Sequence, residues 1–460
     1  MTLTISRTPR LRPPVPATAP FASTLTAFTL TAILVSGQLY VVIPLLHDMA
    51  AGWGSSAGGL TWLVTAFGIG YGVGFLVFGP LSDRYGRRRV LMIGLPLAAL
   101  TTALVALSPS PEVALGLRAL QGVAVAMFPP AAMAYLGERL EPRRRVAAIA
   151  AVTGAFLASA VVLQVAAQLL VEVIGWRGLF GISAAGFVVA WLGVRAVMLP
   201  DPPRDRTETA YPVLETPRPG PASAPMAPAS ARSVPASDST APASARSVPA
   251  SDPTAPASAG GGRHLAGSLL SAYRPLPGLL FHRVLTLRYL ATIMLMVGFV
   301  AVYTGLQIYG VSSPAELLAL RAAGLPSIVL VPLLMPWLAR IRMTTRAVAF
   351  LAVAALTLAV IGLTGTAVLV LLLALYVAAI TGGLPSMNES ISAEAGQARG
   401  TALALFSAAL AVGGSVGPQV AAAFGGFTPL MYGLAIGMAT AALFILVSTW
   451  TAGKKRTTLL

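Results

Sequence analysis

Apolar residues in this chain neither alternate nor recur on one helical face. They run for about twenty residues at a time, stop at a short polar or Gly/Pro break, and resume. Runs of that length are what an α-helix needs to cross the roughly 30 Å hydrocarbon core of a bilayer. They predict spans at 24–47, 58–80, 90–108, 112–137, 146–173 and 178–199, and a second set at 286–309, 314–338, 346–364, 366–389, 400–424 and 428–450. The fold class expected is an all-α membrane protein of about twelve transmembrane helices in two related six-helix bundles. Between the sets the pattern vanishes. Residues 201–263 are dominated by Pro, Ala, Ser and Thr, and Ala227–Thr240 recurs almost unchanged as Ala241–Thr254. Such a tract buries too little apolar surface to offset its chain entropy, so it reads as a disordered linker. A coil of this length reaches about 40–45 Å, enough to join two bundles side by side. A duplicated recognition motif is the other reading of the repeat. Leu265–His282, with Arg274 and His282 among leucines, reads as an interfacial amphipathic helix. The expected organisation is a tail at 1–20, a bundle at 21–200, the linker at 201–275, a second bundle at 276–452 and a tail at 453–460.

Orientation follows from arginine. Alternate connections hold Arg84–Arg89, Arg139 with Arg143–Arg145, Arg340 with Arg342 and Arg346, Arg399, and Lys454–Arg456. The intervening ones, apart from Arg177, are short and nearly free of Lys and Arg. By the positive-inside rule both termini are cytoplasmic, and the first span is too long for a signal-peptide core, so it is expected to be retained. The composition agrees: 56% hydrophobic and only 10% charged, with a mean hydropathy of +0.80, against about 25% charged in soluble domains. The net charge of +16 would suggest nucleic acid in a soluble chain. Here it sits in loops, where it meets lipid headgroups, and no nucleic-acid partner is expected. The chain has no cysteine, which removes disulfides, thiolate metal sites and cysteine nucleophiles. Its arginine-rich, Ala/Gly/Pro-rich composition points to a GC-rich bacterial genome and a plasma-membrane location.

The densest local signal is Gly79-Pro80-Leu81-Ser82-Asp83-Arg84-Tyr85-Gly86-Arg87-Arg88-Arg89. An acid followed by four arginines cannot lie in hydrocarbon, where each charge costs about 3 kcal/mol, so the segment is a tight turn between helices. Its pattern, G-x-L-x-D-R-x-G-R-R-R, resembles the loop between the second and third helices of major facilitator superfamily transporters. Arg118-x-x-Gln121-Gly122 resembles that family's R-x-x-Q-G in the fourth helix, which in proton-coupled drug exporters is implicated in proton handling. The resemblance spans both bundles and is stronger in the first. It implies two bundles rocking about a midplane cavity. It also implies a cytoplasmic latch built from Gly79, Asp83, Arg84, Gly86, Arg87 and Arg88, in which Asp83 faces the helix start near Gly400–Thr401 and the arginines meet Glu138. A weak internal repeat agrees, laying Pro80 on Pro336 and Pro130 on Pro385. The fifth helix departs from the exporter pattern G-x-x-x-G-P-x-x-G-G, reading Gly154-Ala155-Phe156-Leu157-Ala158-Ser159-Ala160 instead, although Gly175-Trp176-Arg177 resembles the G-W-R that follows.

Arg118, Gln121 and Gly122 share one helix face, placing a charge, an amide and a close-packing site together. Arg118 and Gln121 are the coupling candidates; snorkelling of Arg118 to the outer interface is the alternative. Cavity candidates are Gln38 and Tyr40 in the first span, Gln164 and Gln168 in the fifth, Tyr303 and Gln307 in the seventh, and Asn388 and Glu389 at the inner end of the tenth. Each could instead make an interhelical hydrogen bond worth about 0.6 kcal/mol. No acid falls in the middle of the first span; His47 and Asp48 stand at its outer end. The activity expected is alternating-access export of a small amphipathic or lipophilic solute by proton antiport, from a monomer with no cofactor and no metal. The alternatives are an uptake permease of the same fold and a non-transporting membrane sensor or docking protein. No Ser/His/Asp set, metal-ligand cluster or nucleotide loop argues for an enzyme.

Overall fold

The computed structural model describes residues 18–201, 276–310, 313–363, 366–396 and 399–457. The linker with its repeat, and most of the expected interfacial helix, lie outside the described residues. All regular structure among the described residues is helical. In the first half these helices are α1 (Phe21–Gly37), α2 (Leu46–Trp53), α3 (Trp62–Tyr85), α4 (Arg87–Ala106), α5 (Pro111–Val125), α6 (Phe128–Arg139) and α7 (Pro142–Val197). After the short α8 (Leu276–Leu280), the second half holds α9 (Arg283–Ile308), α10 (Pro314–Ala322), α11 (Leu325–Leu338), α12 (Met343–Ile361), α13 (Thr366–Glu394), α14 (Arg399–Ala423) and α15 (Phe427–Thr457). Both halves belong to one contact unit.

Among the described residues, nine helices are long and apolar enough to cross a membrane. The other crossings are helices that break or bend. α1 ends at Gly37 and continues through turns at Gln38–Val42 into α2. α10 gives way to α11 at Ala323–Gly324. The long α7 bends at Gly175, whose φ of 64° turns two antiparallel spans into one continuous element. Large apolar side chains that are buried in a soluble core stay exposed here, such as Leu30, Ile69, Leu333 and Ile436, because their surroundings are lipid.

Successive helices run between a basic face, carrying Arg84–Arg89, Arg139–Arg145 and Arg340–Arg346, and a far face. α3 runs on past Pro80 to Tyr85, and α4 begins at Arg87, so the turn expected over eleven residues is a single residue, Gly86, at φ 97°. Each half ties its third and fourth crossings together at the basic face with an ion pair. Arg87 Nη2 lies 2.9 Å from Glu138 Oε1, and Arg346 pairs with Glu389. Arg288 holds the same end of the second half, donating to the Ser390 carbonyl at 2.6 Å beside Glu394 at 3.6 Å.

Candidate functional site

Inside the first half, α3 and α5 touch backbone to backbone. A Cβ at Gly122 would fall 2.1 Å from the Phe67 carbonyl oxygen, so only glycine allows this approach. The crossing carries Arg118 to the neighbouring chain: Nε donates to the Leu63 carbonyl at 3.3 Å, Nη2 to the Gln38 carbonyl at 2.9 Å and Nη1 to Gln121 Oε1 at 2.6 Å. Gln121 Nε2 in turn donates to Gln38 Oε1 at 3.1 Å and Thr102 Oγ1 at 2.7 Å. The Phe67 ring covers the guanidinium, 4.3 Å from its centroid. Arg118 is fully buried, which replaces the snorkelling alternative with an internal network. Every acceptor in it is neutral. Neither a carboxylate nor an imidazole is among its partners.

Gln38 is consumed by this network, so it is not a cavity wall. The cavity between the halves is lined by Tyr40 from the first half with Gly154, Phe156, Ala160 and Val161, and by Met296, Phe299, Val377, Ile380, Thr381 and Leu384 from the second. Of the expected cavity residues Tyr40 alone is among these, its hydroxyl 3.8 Å from Met296 Sδ. Glu389 is used by Arg346 because both stand at the basic end of their helices; Asn388 is half-buried beside it. Gln164 donates to its own helix at Ala160 O, 2.8 Å.

Gln168, Gln307 and Tyr303 sit beyond the cavity, toward the far face, in a seam that joins the halves. Arg321, 1% exposed on α10, donates to Gln168 Oε1 across the seam and to Gln307 Oε1 in its own half. Gln307 Nε2 meets His47 Nδ1 at 2.9 Å. Arginine has only donors, so Gln307 must turn its oxygen to Arg321 and its NH₂ to His47; Nδ1 of His47 is then the acceptor. On the other side of the seam, α3 meets α14. Gln419 Nε2 donates to Thr61 Oγ1 at 3.1 Å and Thr65 Oγ1 at 3.0 Å, and Thr65 donates to the Ser415 carbonyl at 2.6 Å. The two contacts are related by the internal repeat, since the shift that lays Pro80 on Pro336 lays Thr65 on Arg321. Sequence reading missed Arg321, Gln419 and Thr65. An arginine within an apolar run was the available signal for the first.

At the basic face, Asp201 is another residue that sequence reading passed over. Its carboxylate accepts the backbone N–H of Arg88 at 3.1 Å and Arg89 at 3.2 Å, capping α4 where four donors lack helical partners. Gly86 makes room: a Cβ there would fall 2.3 Å from Asp201 Oδ2. The segment before Asp201 is moored by Tyr135 Oη, which accepts from Leu199 N at 2.9 Å, and by Arg139, which donates to Pro200 O at 3.1 Å. Ser82 donates to Gly79 O at 2.9 Å and accepts from Arg87 at 3.1 Å. The side chain of Asp83, and with it the expected contact to the helix start at Gly400–Thr401, lies outside those described.

A cavity between two related six-helix halves, closed at one face by a symmetric seam, is the arrangement of a membrane carrier. The Major Facilitator Superfamily model matches residues 28–418. The chain belongs to that family. Members of the Major Facilitator Superfamily are membrane transporters and not enzymes. The fold matches the nucleoside transporter NupG, with a TM-score of 0.63 at 10% identity over 92% of this chain and 99% of that one. In sequence it is 30% identical over 181 residues to the puromycin resistance protein pur8 of Streptomyces alboniger, covering 38% of this chain and 35% of that protein. It is 30% identical over 159 residues to a chloramphenicol resistance protein of Pseudomonas aeruginosa (34% and 38%). It is 28% identical over 159 residues to the tetracenomycin C resistance and export protein of Streptomyces glaucescens (35% and 29%). The matched segment spans about a third of the length of these relatives.

Proposed function

We propose that this transporter exports a small amphipathic or lipophilic solute from the bacterial cytoplasm by proton antiport. The basic face is taken as cytoplasmic on the positive-inside rule, so both termini are inside, the cavity faces the cytoplasm and the seam is the closed outer gate. The observation that carries the reading is the cavity wall. Phe156, Met296, Phe299, Val377 and Ile380 offer an aromatic and aliphatic surface with few fixed polar groups, which suits a variable apolar solute more than a sugar. The kinship with resistance proteins supports the outward direction. Arg118 holds the α1–α3–α5 geometry by which the first half would respond to coupling, and His47 is bonded to Gln307 across the gate. Asp83, with Arg84, Arg87 and Arg88, is the cytoplasmic latch that would hold the outward-open state.

The test is accumulation of puromycin and chloramphenicol, as first probes, in efflux-deficient cells with and without the protein. Lower accumulation that a protonophore abolishes is expected. Raised accumulation would reverse the direction, and protonophore-insensitive flux would remove the antiport.

A further inference from the structure

Arg321 is the buried charge that rocking of two halves does not by itself require. It is 1% exposed and is held by two neutral amide oxygens, those of Gln168 and Gln307. Its Nε has no hydrogen-bond partner, nor does the nearby hydroxyl of Tyr303. No ion pair joins it to a carboxylate among the described residues. One helical turn along, a Cβ at Gly324 would lie 3.3 Å from that tyrosine hydroxyl, 3.3 Å from Val161 and 3.0 Å from Val377, and both valines line the cavity. Arg321 therefore stands one turn beyond the cavity ceiling, with donor capacity unspent.

Amide oxygens can stand in for an anion only while the halves meet. When they part, Gln168 leaves with the first half and the guanidinium loses one of its two acceptors. A carboxylate matches the vacated fork, accepting two parallel N–H bonds with charge assistance. We propose that the transported solute is an amphipathic organic acid whose carboxylate binds Arg321 while its apolar body occupies the cavity. The acid displaces both glutamine oxygens. Freed from Arg321, Gln307 also releases His47, so loading the solute loosens the outer gate. This rests on the cavity being the transport cavity.

The test uses the purified full-length protein in nanodiscs and three matched probes: 2-naphthoate, 2-naphthalenemethanol and 2-naphthalenemethylamine, titrated at constant ionic strength. Naphthoate is expected to bind about tenfold or more tightly than the other two, the margin of a charge-assisted contact. Arg321→Gln should erase that preference while naphthalenemethanol still binds, Arg321→Lys should keep part of it, and Gln168→Ala should tighten the acid. An acid bound no better than the alcohol overturns the proposal, as does a preference that survives in Arg321→Gln. Chloride displacing naphthoate at equal concentration also overturns it, by assigning the site to an inorganic ion. Should Arg321→Gln fail to fold, unchanged acid affinity in both Arg321→Lys and Gln168→Ala decides against it. Drug flux in cells without acid-selective binding would sink this inference alone; acid-selective binding without flux would sink the export reading alone.

Discussion

The tightest point of the outer seam is the crossing of α3 and α14 at Gly68. A Cβ there would fall 1.8 Å from Ser415 Oγ, 2.8 Å from its Cβ and 3.2 Å from its Cα. The hydroxyl can rotate away from Ala411 O, which it now bonds at 2.6 Å; the Cβ and the backbone cannot. Gly68→Ala must therefore push the helices apart. Overpacking of this kind costs about 1–3 kcal/mol, and the cost falls on the state in which the far face is closed. A penalty of that size shifts the ratio of the two states by about 5- to 150-fold. Because the chain has no cysteine, spin labels can be placed directly at Ser55 and Gly425, exposed at the far ends of opposite halves. Distance measurement between them should show a longer population in Gly68→Ala, and steady-state efflux should fall because return to the closed state is slowed. An unchanged distance distribution in a well-folded variant would mean that the seam is not the gate.

Arg118→Ala should lower thermal stability by about 3 kcal/mol or more, since it strands three buried acceptors, and should abolish gradient-driven flux; Arg118→Lys keeps the charge but not the fork and should fall between, and normal pH-dependent transport by the Ala variant would remove Arg118 from coupling. Asp201→Ala should cost about 1–2 kcal/mol and speed amide exchange at Arg88 and Arg89, whereas unchanged exchange would refute the cap. His47→Ala should remove the bond to Gln307 across the seam and lengthen the same spin-label distance, whereas an unchanged distance would take this bond out of the gate. Asp83→Asn removes the charge that favours a helix N-terminus, worth roughly 0.3–1 kcal/mol, and should raise alkylation of Ala160→Cys, which lines the cavity; unchanged labelling with unchanged flux would dismiss the latch.

The spans were legible because lipid imposes one crude rule, length of apolar run, that single residues cannot evade. Where helices break was not. Gln38–Val42, Ala126–Met127 and Ala323–Gly324 lie inside runs that stay apolar through the break, and the cost of unpaired backbone is absorbed by neighbouring helices. The Arg118 face was legible because Gln121 and Gly122 lie on the same helix. Its acceptors were not, since Gln38 and Leu63 arrive from other elements and contribute backbone carbonyls, which carry no residue signature. Asp201 looked like the first residue of a linker, because capping at a distance depends on Gly86 leaving a space that only the folded chain defines. Gln168 and Gln307 were singled out as polar residues in spans, but their role depends on Arg321.

That dependence bears on how the gate can open at all. Among the described residues, five hydrogen bonds cross the seam in two symmetry-related groups, from Gln419, Thr65, Arg321 and Gln307 to partners in the other half. At about 0.6 kcal/mol for an interhelical bond in a membrane protein, they hold the halves by about 3 kcal/mol. Reversing a two-state population from 1:99 to 99:1 takes about 5.5 kcal/mol of differential binding, so a seam of this strength is within reach of a solute and a proton acting together. A seam of ion pairs would not be, because each separated charge would have to be resolvated. Arg321 resolves the conflict between closing and opening. Paired with amides, it holds the gate without a carboxylate that would lock it, and it leaves a cation in the path where an acidic solute, on leaving, can be replaced by Gln168 as the halves return.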